Sequence, residues 1–187
     1  DHGRTVRNLG SFQEIAKHGF HLKVTRWSPE ATQVVRYVFR PERNGQFWPL
    51  RAIEDASGQG IELTWDEQGL LKGIRQKSEK RTLLLGHTPE GLLASISFLH
   101  PDGKSQLLAT YDYRRGMLSA ATNALGISDR YEYGPDGRIT REMVKDGGVF
   151  SFKYDEKGRC IRTWGLENYD LKVIRYLDHV GWTEVSN

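Results

Sequence analysis

Hydrophobic and polar residues alternate along much of this chain, and glycine interrupts the alternation at regular intervals. Ile61, Leu63 and Trp65 stand at the same offsets from Gly69 as Phe150, Phe152 and Tyr154 from Gly158, and Tyr131 and Tyr133 fill two of the three positions before Gly137. A period of two sends these residues to one face of a strand and Glu62, Glu132, Ser151 and Lys153 to the other. The pattern predicts half-buried strands with one apolar face.

Self-similarity decides the fold class before any single element does. Aligned on the turn glycine, "WDEQGLL" (Gly69), "HTPEGLL" (Gly91), "YDYRRGML" (Gly116), "YGPDGRI" (Gly137) and "YDEKGRC" (Gly158) recur in steps of 22, 25, 21 and 21 residues. Weaker echoes stand at Gly45 in "RPERNGQFWPL" and Gly181 in "YLDHVGW". Two residues past the glycine, Leu71, Leu93, Leu118, Ile139 and Cys160 share one slot. Second turn signals lie between the units, in "DASGQG", "HPDGKS", "NALGIS" and "KDGG". Gly adopts left-handed backbone freely and Asp and Asn tolerate it, so both turns have a physical cause. Residues 46–187 therefore read as an all-β, antiparallel array of consecutive β-hairpins. At about 4.8 Å per strand, six two-stranded units make a twisted ribbon on the order of 60 Å long, with open strand edges suited to further repeats or self-association.

Residues 1–45 follow the pattern less closely and read as a β-rich segment preceding the repeats. "HLKVTRW" (21–27) and "VVRYVFR" (34–40) are expected strands, with "SPEA" as the hairpin loop between them. "SFQEIAKHG" carries Ser11 and Glu14 at capping-box spacing and Gly19 as a stop, which predicts a short helix over 11–18 in competition with an edge strand.

Composition narrows the classes. The 187 residues are 37% hydrophobic and 11% aromatic with six prolines, enough to bury apolar surface. No run reaches the roughly 18 apolar residues of a membrane helix, and "DHGRTVRNLG" has no signal-peptide pattern. Lys and Arg number 27 against 24 Asp and Glu, interleaved as in "RYEYGPDGRITREMVKD", which is a solvated mixed-charge face and not a nucleic-acid footprint. One cysteine excludes an internal disulfide framework and a multi-cysteine zinc site.

Candidate chemistry reduces to structure at each position. His18 and His21 would align on a helix, but Gly19 lies between them and one continuous strand would send them to opposite faces. His87 occupies the slot of Trp65 and Tyr133, and His100 and His179 lie in or beside turns. Asp102, Asp136, Asp146 and Asp155 all stand in turns, where an Asp side chain caps backbone amides; the repeat spreads them along a sheet edge. Cys160 has no neighbouring histidine in sequence to act as base, and its slot elsewhere holds leucine, which marks a buried, inert thiol. The glycines do not lead from a strand into a helix, so no phosphate cradle is present. The tryptophans and tyrosines, at fixed offsets from the turns, read as sheet core before sugar-stacking surface. No catalytic, cofactor-binding or metal residue is expected.

At "YEYGPDGRI", "KYDEKGR" and "NALG" the sequence resembles the YD repeats of the Rhs family of bacterial polymorphic toxins, repeats also found in the B and C components of insecticidal toxin complexes and in teneurins. The resemblance is specific over roughly residues 50–177; residues 1–45 are similar only loosely to the β-rich segment before the repeats. It implies a hollow shell of spiralling β-sheet that holds a C-terminal toxin domain until delivery. The chain departs from the family's whole by lacking a delivery module, a recognisable toxin and the Asp-Pro-containing self-cleavage motif. What the resemblance implies is a piece of shell wall without catalytic activity, made in the bacterial cytoplasm and secreted or delivered to a cell surface. Its partners would be the remaining YD repeats and the enclosed toxin domain, with no nucleic acid and no membrane insertion. A glycan- or receptor-binding β-repeat module is the alternative, and an enzyme using Cys160 or a histidine a second one.

Overall fold

The computed structural model describes residues 5–8, 13–18, 21–27, 34–41 and 48–187. The chain is all-β and divides into two compact units, Asp1–Leu107 and Leu108–Asn187. The first unit contains β1 (Thr5–Asn8), β2 (Gln13–His18), β3 (His21–Trp27), β4 (Val34–Phe39), β5 (Leu50–Glu54), β6 (Gly60–Trp65), β7 (Leu71–Gln76), β8 (Thr82–His87) and β9 (Leu93–Leu99). β10 (Ser105–Arg114) enters the second unit, followed by β11 (Met117–Asn123), β12 (Ser128–Tyr133), β13 (Ile139–Met143), β14 (Val149–Tyr154), β15 (Cys160–Gly165), β16 (Lys172–Leu177) and β17 (Trp182–Ser186). Within each unit every strand pairs antiparallel with the next. The expected hairpin array is the observed fold.

The short helix expected over 11–18 does not form where the structure is described: Gln13–His18 is a strand, paired with β1 and β3. A capping box secures one helical turn, whereas a strand between two neighbours satisfies every backbone donor and acceptor through its length. Ser11, the SPEA loop, Gly45 and the boundary between residues 45 and 46 lie outside the described residues.

Among the described residues eight loops share one hydrogen-bond pattern. In 55–59, 66–70, 88–92 and 100–104 of the first unit, and in 123–127, 134–138, 144–148 and 155–159 of the second, the first residue's N–H donates to the fifth carbonyl and the fourth N–H to the first carbonyl. The fourth residue is a glycine with φ between 77° and 91°, as a three-residue hairpin turn with a bulge requires. Gly116 is the exception in the alignment: Arg115 and Gly116, at φ 53° and 76°, make a two-residue turn between Arg114 and Met117. The long strand β10 takes up the residues this saves.

Register confirms the faces read from the alternation. In the first unit Ile15, Val24, Tyr37, Ile53 and Ile61 stand opposite one another across five strands, while Ala16, Lys23, Val38, Ala52, Glu62 and Arg75 form the adjoining row on the other face. In the second, Tyr131, Phe150, Phe152 and Tyr154 share a face, and Glu132, Arg141, Ser151 and Trp164 line up across the opposite one. Trp164 thus departs from the aromatic core to which the repeat assigned the tryptophans. A single sheet layer leaves its core thin. Among the described residues only Ala16, Val38 and Ala52 are buried hydrophobics, and no large side chain is fully buried.

Candidate functional site

The turns and the aromatic slot beside each turn are where the repeat concentrates its chemistry. Each five-residue loop has one side-chain acceptor for its fifth amide. Where the first residue is Asp, Asn or Thr, that residue serves: Asp66 Oδ1 accepts from Leu70 N at 2.9 Å, Asn123 Oδ1 from Ile127 N at 3.1 Å, and Thr88 Oγ1 from Leu92 N at 3.3 Å. Where the first residue is His100, Gly134 or Val144, the third takes over, and Asp102, Asp136 and Asp146 accept from Lys104, Arg138 and Gly148 N at 3.0, 3.2 and 3.2 Å. The carboxylates that resembled an acid/base set are caps in separate turns.

Three of them also carry ion pairs, Asp102 with Lys104, Asp136 with Arg138 and Asp155 with Arg159, and the last extends to Asp178. Arg159 bonds Asp155 Oδ2 at 2.8 Å and Asp178 Oδ1 at 2.6 Å, and Lys157 bonds Asp178 Oδ2 at 2.6 Å, which ties the β14–β15 turn to the β16–β17 turn. The Arg159 amide, then its guanidinium, hold Asp155 below the ordinary carboxylate range, and Lys157, then Arg159, do the same for Asp178. A depressed carboxyl contributes stability above its unfolded pKa of about 4, and that stability is lost as pH falls through the folded value. Unfolding midpoints are therefore expected to hold from neutrality to about pH 5 and to fall below about pH 4, with Asp178→Asn flattening the fall. An unchanged acid limb in that variant would exclude this network as a source of the dependence.

The residue four before the turn glycine faces the residue two after it, across a bulge: Trp65 opposite Leu71, His87 opposite Leu93, Tyr133 opposite Ile139, Tyr154 opposite Cys160. The aromatic tip then reaches back one unit. Trp65 Nε1 donates to the Leu50 carbonyl at 2.8 Å, Tyr154 Oη to Ile139 at 2.8 Å and Tyr176 Oη to Cys160 at 2.9 Å. Burial above all raises the Tyr154 phenol, which keeps it a donor. The residue after the glycine adds a cation over the next ring: Arg138 lies 5.8 Å from the Tyr154 centroid and Arg159 4.2 Å from that of Tyr176. Hydroxyl and cation thereby staple the hairpins of Tyr154 and Tyr176 to the units before them, and Trp65 does so through its indole N–H alone.

Cys160 sits inside that staple. It is half-buried opposite Tyr154, less covered than the buried thiol its slot predicts because a single sheet layer covers little, and its Sγ donates to the Arg162 carbonyl at 3.6 Å. Because the slot elsewhere holds leucine, Cys160→Leu should change stability by less than about 1.5 kcal/mol. A larger loss in urea unfolding would contradict the shared slot. His87 fills the aromatic slot, and His100 packs edge-on to Phe98 at 4.6 Å with Nε2 3.4 Å from Gln106 Oε1. His179 lies in the β16–β17 turn. His18 and His21 correct the expectation that a strand would set them on opposite faces: they belong to two strands of one hairpin and stand directly opposite in register. Among the described residues no three His, Cys, Asp or Glu side chains gather as a metal site, and no helix is long and apolar enough to cross a membrane.

Open depressions include one of 970 Å³ lined by Pro41, Arg51, Trp65, Asp66, Glu67, Gln68 and Lys72, and two others. On the apolar face of the first unit, Val35, Ile53, Ile61, Ile74, Leu83 and Phe98 line one of 690 Å³. On the charged face of the second unit, one of 450 Å³ lies beside Trp164 and the connection that follows it. The stapling contacts and the 166–171 connection escaped the sequence reading. Trp65 and Tyr154 four residues before a glycine, and Arg138 and Arg159 one after, were the signal for the first, and nothing in the turn chemistry signalled the second.

Hairpins repeated at this period, with an aromatic before and a small apolar residue after each turn, define a YD-type β-repeat. No protein-family model matches the chain. Over 142 residues it is 32% identical to the probable deoxyribonuclease RhsA of Dickeya dadantii strain 3937, covering 72% of this chain and 9% of that protein. It is 24% identical over 149 residues to the double-stranded DNA deaminase toxin A of Burkholderia cenocepacia strain H111, covering 66% and 10%. Among solved structures, the Photorhabdus luminescens Tc holotoxin pore superposes with a TM-score of 0.54 at 14% identity, over 83% of this chain and 9% of that one. TcdB2-TccC3 without its hypervariable C-terminal region gives 0.55 at 14%, over 84% and 9%. At these identities the structures are similar in fold, and the chain spans about a tenth of the length of the curated relatives it matches. The chain belongs to the Rhs/YD-repeat family.

Proposed function

We propose that the chain is a segment of an Rhs/YD-repeat shell that encapsulates a C-terminal toxin domain and helps deliver it, and that the segment itself catalyses nothing. The observation that carries the reading is the sheet of each unit, apolar along one face, with only Ala16, Val38 and Ala52 as buried hydrophobics among the described residues. An apolar face of this extent calls for a partner surface. Further repeats and an enclosed domain would supply it, and the staples between successive units suit a wall that must hold its curvature under load. The relatives named as a deoxyribonuclease and a deaminase toxin are about ten times longer than the matched stretch, which leaves room for an effector elsewhere in such a polypeptide. Delivery out of the producing cell follows from the same reading.

Limited proteolysis of the full polypeptide tests it. The toxin segment should resist digestion while the repeats are intact, and should become cleavable when Leu63→Asp and Phe152→Asp charge the apolar faces. A toxin digested at the same rate in both would overturn encapsulation. Hydrolytic activity retained by the repeats after the toxin's removal, and lost on alkylation of Cys160, would overturn the non-catalytic role.

A further inference from the structure

Three of the five-residue loops carry the dipeptide Asp-Gly at their third and fourth positions: Asp102-Gly103, Asp136-Gly137 and Asp146-Gly147, all exposed. Glycine puts no Cβ beside its own nitrogen, so in this dipeptide the aspartyl carboxyl and the following amide can approach closely. The three loops differ in the residue after the glycine. Arg138 Nη1 donates to Asp136 Oδ2 at 2.5 Å, and Lys104 Nζ stands 3.5 Å from Asp102 Oδ2. Gly148 brings no side chain to Asp146. The Asp146 carboxyl accepts from Gly148 N at 3.2 Å and, among the described residues, makes no ion pair and no other hydrogen bond.

Charge and space both single out the third loop. A carboxyl loses an oxygen as water only from its neutral form, and a cation held against it keeps it ionised. The Arg138 amide, then its guanidinium, hold Asp136 below the ordinary carboxylate range. No cation is held against Asp146. A Cβ added at Gly147 would meet nothing within 4 Å, so the approach to its amide is open, whereas one at Gly137 would meet Met117 Sδ at 3.9 Å. Gly147 N donates to the Val144 carbonyl at 2.9 Å, and that is the one bond its amide gives up in order to react.

We propose that Asp146-Gly147 is a site of spontaneous isoaspartate formation. The Gly147 nitrogen attacks Cγ of the neutral Asp146 carboxyl, the Cγ–N bond forms, and the carboxyl's hydroxyl leaves with the amide proton as water. A second water opens the five-membered imide. Attack at Cγ breaks the new bond and restores aspartate; attack at the α-carbonyl breaks the original peptide bond, which leaves the chain running through Cγ and the α-carboxylate free. No oxidant, reductant or cofactor takes part. The product adds one methylene to the main chain inside a loop closed by Val144 N on the Gly148 carbonyl at 2.8 Å and Gly147 N on Val144. The β13–β14 hairpin thereby loosens next to its Met143–Val149 pair. The inference does not depend on encapsulation, since it needs only the turn.

Incubation of the full polypeptide in water enriched in heavy oxygen, at about pH 6 where an ordinary aspartate is about 1% protonated, tests the site by peptide mapping with electron-transfer fragmentation. Isoaspartate carrying one heavy oxygen is expected to accumulate at Asp146 about two- to fivefold faster than at Asp102 or Asp136, the factor by which an exposed ion pair favours the carboxylate. Arg138→Gln should raise the rate at Asp136 by about the same factor while Asp102 and Asp146 keep theirs. Unfolding in urea should bring the three rates together, because the ion pairs are lost with the turns. Four outcomes overturn the proposal: no isoaspartate at Asp146, a rate at Asp102 or Asp136 equal to that at Asp146, an Asp136 rate unmoved by Arg138→Gln, or the same spread of rates in the unfolded chain.

Discussion

Gly60→Ala is expected to part β5 from β6 and to cost about 3–5 kcal/mol, near the upper end for a single substitution. Gly60 begins β6 opposite Glu54 with φ at 154°, where a side chain is strained. An added Cβ would overlap the Ile53 carbonyl oxygen and come within 2.9 Å of Glu54 Cα. Both are backbone atoms of the partner strand, so no rotamer change relieves them. The damage spreads to β7, because Lys77 N donates to the Gly60 carbonyl at 2.9 Å and Lys77 Nζ pairs with Glu54 at 2.5 Å, both partners largely shielded from solvent. Gly69→Ala is the internal comparison. Its φ is 79° and its Cβ would meet nothing within 4 Å, so it should cost only the left-handed penalty of about 1–2 kcal/mol. Hydrogen exchange across β5–β7, read beside urea midpoints, separates the two, since stability in a repeat array is partly local. Equal costs at Gly60 and Gly69 would rule out backbone overlap as the determinant.

What recurs along the chain was legible in its sequence. Ile61, Leu63 and Trp65 and their counterparts fell on the apolar face because a period of two has only two outcomes per strand, and five repeats of the same glycine left no freedom of register. Cys160 was legible for the same reason: its slot was defined by leucines elsewhere. Single events were harder to read. The turn through Lys77–Arg81 has no glycine and uses Lys80 at φ 54°, so turn chemistry did not announce it. The pairing of His18 with His21 occurs once, and no repeat reveals it. Trp164 went to the charged face because its strand places it opposite Ser151, and counting tryptophans cannot show that. The pocket it lines rests on a non-repeating loop, and a reading built on periodicity passes over what occurs once.

The same distinction governs how much each residue holds. A turn cap serves one loop, but the tyrosine of the slot serves two units at once, so its loss should be felt on both sides. Tyr154→Ala is expected to cost about 3 kcal/mol, below the value for a fully buried ring because Tyr154 is half-buried. Removing the ring strips cover from Cys160 opposite it, takes the Oη donor from the Ile139 carbonyl and leaves Arg138 without the ring it overlies. Tyr154→Phe isolates the hydroxyl and should cost about 1 kcal/mol, as should Tyr176→Phe, which breaks the matching bond to Cys160. The location of the effect is as informative as its size. Exchange protection should fall in β13 when Tyr154 loses its hydroxyl and in β15 when Tyr176 does, because each reaches back to the preceding unit. If protection instead falls only in the strand bearing the substitution, the tyrosines pack their own hairpin and do not join one hairpin to the next.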